Sequence, residues 1–174
     1  MNYSPKIWII SDTHFNHFNI IRYCNRPFDS TNEMNDVMIQ NWNQRVAKED
    51  IVYHLGDIGF GHLRWLELNG NVHLIRGNHD RKEVITTYPY TSIQTQLLVD
   101  LFGVRILMRH IPPWNTTENV DVVLYGHVHN TVPRFQWKRR KCFINCSVEM
   151  QNYQPVELSQ LLSEYQTQLS NQNP

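Results

Sequence analysis

Residues 7–17 read IWIISDTHFNH. The first four are apolar and read as a short buried strand, and the residues after them break that pattern. Asp12, His14 and His17 crowd its end. A carboxylate or an imidazole is costly to bury there unless it is hydrogen-bonded or bound to an ion. Asp12 and His14 stand two apart, so an extended backbone points both to one side. The stretch predicts a strand whose carboxyl end delivers ligand atoms to a shared point.

The pattern recurs along the chain. Residues 51–55 (IVYHL) run into Gly56 and Asp57, and residues 72–75 (VHLI) into Arg76, Gly77, Asn78, His79 and Asp80. Residues 104–109 end at His110, and residues 120–125 (VDVVLY) run into Gly126, His127, Val128 and His129. Open α/β sheets bind ligands outside the carboxyl ends of their strands, so these side chains can converge on one cleft. Mixed carboxylate, imidazole and amide donors suit borderline divalent ions such as Mn, Fe, Co, Ni or Zn. A carboxylate shared by two ions permits the two-metal clamp used for displacement at phosphorus.

Between these blocks, residues 30–47 read as a helix. Ser30 and Glu33 have capping-box spacing, and Met34, Val37, Met38 and Trp42 fall on one face. Residues 62–69 read as a short helix, 92–100 and 104–109 as a β-hairpin about Gly103, and 111–118 as loop. Late strands are expected at 142–148 and 153–156. A final helix carries Leu158, Leu161, Leu162, Tyr165 and Leu169 on one face, and residues 170–174 read as a frayed tail. Strands that alternate with helices early and pair later predict an α/β class, a mixed sheet sandwich with helices outside.

With 174 residues, 41% hydrophobic and 18% charged, the chain suits one folded domain over residues 1–174 with a substantial core. Formal net charge is zero, so long-range attraction to nucleic acid or an anionic membrane does not dominate. Cys24, Cys142 and Cys146 are odd in number and lack C-x-x-C spacing, which fits a reducing compartment. The apolar run after Lys6 is too short for a signal peptide, and no run is long enough to span a bilayer. A cytoplasmic protein without membrane contact is expected.

In order, Asp12-Thr13-His14, Gly56-Asp57, Gly77-Asn78-His79-Asp80, His110 and Gly126-His127-Val128-His129 resemble the calcineurin-like metallophosphoesterase superfamily. The resemblance spans residues 7 to about 148 and implies a small member without a cap domain. The implied fold is a four-layer α/β/β/α sandwich of two mixed sheets flanked by helices. The implied cofactors are two divalent metal ions, with Mn favoured. Asp12, His14, Asp57 and His129 would hold one; Asp57, Asn78, His110 and His127 would hold the other, with Asp57 bridging. A hydroxide between the metals would attack phosphorus, and His79 would face the phosphate as acid or charge stabiliser. One departure stands out. Many relatives carry an acid or arginine after the Gly-Asp block, whereas residues 56–60 read GDIGF. Asp80, or a backbone carbonyl, is then left to orient His79.

A subset of small relatives similarly shares the D-T-H-F-x-H block, with the extra histidine over the metals. That makes His17 a candidate substrate contact. Arg26, in the loop 24–28, is a candidate phosphate contact or else a structural salt bridge. Arg76, Arg81 and Arg109 flank the metal blocks, and each singly reads as a packing or surface residue. His54 and His73 read as core. The basic run 138–141 reads first as a solvated hairpin tip and second as a grip on nucleic acid or an acidic partner.

The expected activity is dinuclear metal-dependent hydrolysis of a phosphate ester, a nucleotide-type or nucleic-acid-end phosphodiester, with no obligate protein partner evident. The alternatives are a phosphomonoesterase or phosphoprotein phosphatase, and a non-catalytic metal-binding interaction scaffold of the same fold. An intact ligand set argues against the scaffold.

Overall fold

The computed structural model describes residues 3–172. In chain order it contains β1 (Ile7–Ile10), α1 (Phe18–Tyr23), α2 (Thr31–Arg45), β2 (Ile51–His54) and β3 (Asn71–Ile75). Then follow α3 (Lys82–Thr87), β4 (Ser92–Gln94), β5 (Gln96–Leu101), β6 (Val104–Arg109) and β7 (Val122–Tyr125). The chain ends with β8 (Phe135–Lys138), β9 (Lys141–Asn145), a 3₁₀ turn (Val148–Gln151), β10 (Val156–Glu157) and α4 (Leu158–Gln172).

Two mixed sheets result, flanked by helices. The first has the order β10-β1-β2-β3-β4, and the second β5-β6-β7-β9-β8. In the first, β1 to β4 are parallel and β10 runs antiparallel to β1. In the second, β6, β7 and β9 are parallel, with antiparallel strands at both edges. Parallel strands covered on both faces need apolar residues at successive positions, and all four residues of β7 are buried.

One core fills the space between the sheets. It joins Ile9, Leu55 and Ile75 to Ile106, Met108, Leu124 and Ile144, and includes Leu158, Leu161 and Leu162 of α4. A second core lies outside the first sheet, where Met34, Met38 and Trp42 of α2 pack on Trp8, Ile10, Val52 and Val72. Trp42 is fully buried, so its truncation to Ala would cost about 3–5 kcal/mol. Outside the second sheet, Leu107, Val123, Tyr125 and Phe143 are covered by Trp114 and Val120 of the loop after β6. Ser30 caps α2 by accepting from Glu33 N at 3.1 Å. The Glu33 carboxylate reaches back to Asp29 N rather than to Ser30 N.

Three expectations are corrected. Residues 62–69 form irregular chain with one turn at 64–65 rather than a helix. Leu63 and Leu66 both enter the core, while Leu63 N is captured by Thr87 Oγ1 at 2.8 Å. The run expected as one hairpin strand, 92–100, is split at Thr95: β4 joins the first sheet and β5 the second. The tail expected to fray from 170 is helical to Gln172; residues 173 and 174 lie outside the described residues. No helix among the described residues is long and apolar enough to cross a membrane.

Candidate metal centre

The carboxyl ends of β1, β2, β3, β6 and β7 meet at one edge of the sandwich. The loops approach so closely there that glycine is required. A Cβ on Gly126 would strike Ser11 Oγ and Asp12 Oδ2, and one on Gly77 would strike the Asp57 carboxylate and backbone. Asp12 (φ 58°), His14 (51°), Asp57 (55°), His127 (73°) and His129 (49°) all adopt left-handed backbone. Non-glycine residues there cost about 1 kcal/mol or more each. Such strain gathers at functional sites, where the surrounding structure holds it in place.

Two groups of donors result. Ligand atoms of Asp12, His14 and His129 lie within 4.8 Å of one another, and so do those of Asp57, His110 and His127. Asp57 Oδ2 sits between the groups, 3.6 Å from His14 Nε2 and 3.3 Å from His110 Nε2. Asn78 Oδ1 lies 2.9 Å from His110 Nε2. All seven candidate ligands are thus placed around one point.

The rings are oriented by their far nitrogens. His110 Nδ1 donates to Leu55 O at 2.8 Å, and His129 Nδ1 meets Glu149 Oε1 at 3.0 Å. For His110 this leaves Nε2 facing Asp57 and Asn78, and a far-side partner of this kind orients a metal-binding histidine. His14 Nε2 is buried and has no hydrogen-bond partner. Burial pulls His14 down to about 2, so the ring is neutral; with its proton on Nδ1, 3.2 Å from His17 Nδ1, Nε2 keeps its lone pair. Burial would raise Asp57, but hydrogen bonds from His110 and His79 N hold it at about 2. Burial also pushes the Asp12 carboxyl up, against the pull of His110 and His129. Two buried carboxylates and an orphaned imidazole nitrogen are the environment that divalent cations satisfy. The residues fit the metal pair that the resemblance implies.

His79 stands apart from both donor groups. Its backbone N donates to Asp57 Oδ1 at 2.8 Å, and its half-exposed ring lies 5.7 Å from the His14 ring and 5.6 Å from Phe60. The His17 ring lies tilted against Phe60 with centroids 4.2 Å apart, and His17 shares a cleft of about 490 Å³ with Ile20, Tyr23 and His79. Both rings face the space in front of the donors.

Two assignments are corrected. Asp80 does not orient the His79 ring. Its buried carboxylate accepts from the backbone N of Asp57, Ile58 and Gly77 at 2.9, 3.0 and 2.7 Å, which staples two ligand loops together. Arg26 does not face the cleft. Its guanidinium is buried beneath the first loop and donates to Asp12 O at 2.7 Å, Thr13 O at 2.8 Å and Glu149 Oε1 at 2.7 Å. The salt-bridge reading holds: Arg26 fixes the strained backbone of Asp12 from below.

Glu149 escaped the sequence reading. It is buried on the 3₁₀ turn and joins Arg26 to His129, and its Oε2 has no partner. A charged residue inside the run 146–151 (CSVEMQ) is the one signal that could have found it. His54 is core, as expected. Its Nδ1 accepts from Gly56 N, so Nε2 carries the proton toward Thr13 Oγ1.

Residues 6–155 match the calcineurin-like phosphoesterase superfamily domain. The chain belongs to that family, a class of metal-dependent phosphoester hydrolases. An uncharacterized protein of Methanocaldococcus jannaschii is 41% identical over 165 residues, 88% of this chain and 87% of that protein. The gene 66 protein of Mycobacterium phage D29 is 28% identical over 166 residues, 74% of this chain and 81% of that protein. Among solved structures, a protein of unknown function from Aquifex aeolicus superposes with a TM-score of 0.73 at 26% identity, over 92% of this chain and all but 1% of that one (99%). An archaeal phosphodiesterase shares the fold with a TM-score of 0.50 at 21% identity, over 88% of this chain and 98% of that one.

Proposed function

We propose that the chain is a phosphodiesterase that works with two divalent ions, Mn favoured, on a nucleotide-type or nucleic-acid-end phosphodiester. The observation that carries this reading is the Asp57 carboxylate, set between two groups of donors drawn from different strands. When bound, the ions would supply activated water and neutralise charge on the phosphate. Asp12, His14, Asp57 and His129 would hold one ion, and Asp57, Asn78, His110 and His127 the other.

The chain's own residues do the rest. Asp80, Arg26 and Glu149 hold the ligand loops in register from behind. His79 faces the space where an ester oxygen would leave and would give that oxygen a proton from its imidazole. His17 and Phe60 form one wall for the alcohol portion of the ester. The site is an open cleft, which favours accessible ester linkages. The proposal takes residues 1–174 as a single domain acting in the cytoplasm.

The test compares bis-p-nitrophenyl phosphate with p-nitrophenyl phosphate in Mn-loaded protein, wild type beside His79→Ala. The expected result is faster cleavage of the diester. In the variant, kcat falls about 100-fold while metal content stays unchanged. Faster cleavage of the monoester would instead mark a phosphatase. Full metal content with no hydrolysis of either would favour a scaffold.

A further inference from the structure

A second cleft, of about 240 Å³, opens beside Asn78 and His110. It is lined by Arg76, Asn78, Thr95, Arg109, His110 and Ile111. Asn78 and His110 belong to both the candidate metal centre and this cleft, so the two are contiguous.

Its origin is topological. The chain passes from the first sheet to the second at Thr95, between β4 and β5. Just before that residue, Gln94 O accepts from Arg76 N at 2.7 Å, at the end of β3. Just after it, Gln96 pairs with Arg109, at the end of β6. The crossover therefore gathers two arginines from different sheets around one cavity.

Both arginines are exposed, and among the described residues neither forms an ion pair with a carboxylate. Arg76 gives only its Nε, to Asp80 O at 3.1 Å, which anchors the side chain and leaves its terminal nitrogens free. The contrast with Arg26 is direct, since that guanidinium is consumed inside the protein. Two free guanidinium groups beside a centre that would hold two cations make a strongly positive cavity in a chain of zero net charge. Guanidinium forks match phosphate oxygens in pairs, and the match strengthens as water is excluded. The cleft on the His17 side has Ile20, Tyr23 and Phe60 on its walls and a single arginine, Arg81.

We infer that the Arg76–Arg109 cleft is an anion subsite for a second phosphate of the substrate, one linkage away from the phosphate that is cleaved. The substrate class is then a diester with an aromatic or apolar arm toward Tyr23 and Phe60 and a phosphorylated arm toward the arginines. This inference rests on the phosphoesterase reading.

The test compares two dinucleotides, thymidylyl-thymidine with and without a 5′ phosphate, in Mn-loaded protein. Bis-p-nitrophenyl phosphate reports on catalysis itself. In wild type, kcat/KM for the phosphorylated dinucleotide should exceed that for the unphosphorylated one at least tenfold. In the Arg76→Gln/Arg109→Gln variant the ratio should collapse to within about twofold. A ratio taken within one protein is independent of its folded fraction. Cleavage of bis-p-nitrophenyl phosphate with equal use of both dinucleotides by wild type would overturn the subsite and leave the phosphoesterase reading standing. If no ester is cleaved, that reading fails, and inorganic pyrophosphate titrated into metal-free protein decides the subsite. Binding that the double variant weakens at least fivefold supports it, and equal or absent binding overturns it.

Discussion

His129 Nδ1 and Glu149 Oε1 lie 3.0 Å apart, so a residue of the 3₁₀ turn after β9 sets the orientation of a candidate ligand in the loop after β7. The same Oε1 accepts from Arg26 Nε and Nη2 at 3.0 and 2.7 Å. Arg26 in turn holds the carbonyls of Asp12 and Thr13. One carboxylate thus connects the loops that carry Asp12, His14 and His129.

The first prediction follows from that link. Loss of an oriented partner behind a metal-binding histidine costs about 10–100-fold in metal affinity. Glu149→Gln keeps the shape and an acceptor but loses the charge, so it should fall at the mild end. Glu149→Ala should fall at the severe end and should also unfold at a lower temperature, because Arg26 is left buried and unpaired. Mn titration of metal-free protein, with thermal unfolding alongside, reads both effects.

Gly126→Ala should damage the centre without touching a ligand. The added methyl would press on Ser11 Oγ and Asp12 Oδ2. Asp12 already accepts from His127 N at 3.0 Å and Ser147 Oγ at 2.8 Å, so it has little room to yield. Overpacking of this kind costs about 1–3 kcal/mol. Urea unfolding should show that loss, and Mn affinity should fall with it.

Asp50 predicts an acid limb. Its buried carboxylate accepts from the Tyr3 hydroxyl, from Lys6 N and Trp8 Nε1 at 2.8 Å, and from Ala47 N at 2.9 Å. Burial alone would raise its pKa, but these hydrogen bonds outweigh burial and hold it below the usual carboxylate value. A depressed pKa stabilises the folded state above the unfolded value of about 3.9, and that contribution is lost as pH falls through the folded value. Asp50→Asn should therefore destabilise by about 2 kcal/mol near neutral pH, through mismatched buried donors. It should also flatten the fall in stability below about pH 4. Urea midpoints across pH 3–7 check both.

The ligand blocks were legible because each follows an apolar run and a turn, often with a glycine that only a close approach demands. The left-handed backbone at Asp12, His14, Asp57, His127 and His129 left no local signal, since none of them is glycine. Arg26 stayed open between phosphate contact and salt bridge because its loop alone does not say which way the guanidinium turns; only the fold sets it against Asp12 O and Glu149. The break at Thr95 was hidden for a similar reason. Residues 92–101 have uniform strand character, and the change of sheet is decided by which partner each half meets. Asp80 lies beside His79 in sequence, yet its side chain turns back to the Gly77 and Asp57 backbone, where three N–H groups would otherwise lack acceptors.

If Asp57 serves two metal ions at once, as proposed, Mn bound per chain at saturation reads it directly, wild type beside Asp57→Asn. Two equivalents are expected in wild type and at most one, weakly held, in the folded variant. One equivalent or none in folded wild type, or two retained by Asp57→Asn, would contradict it.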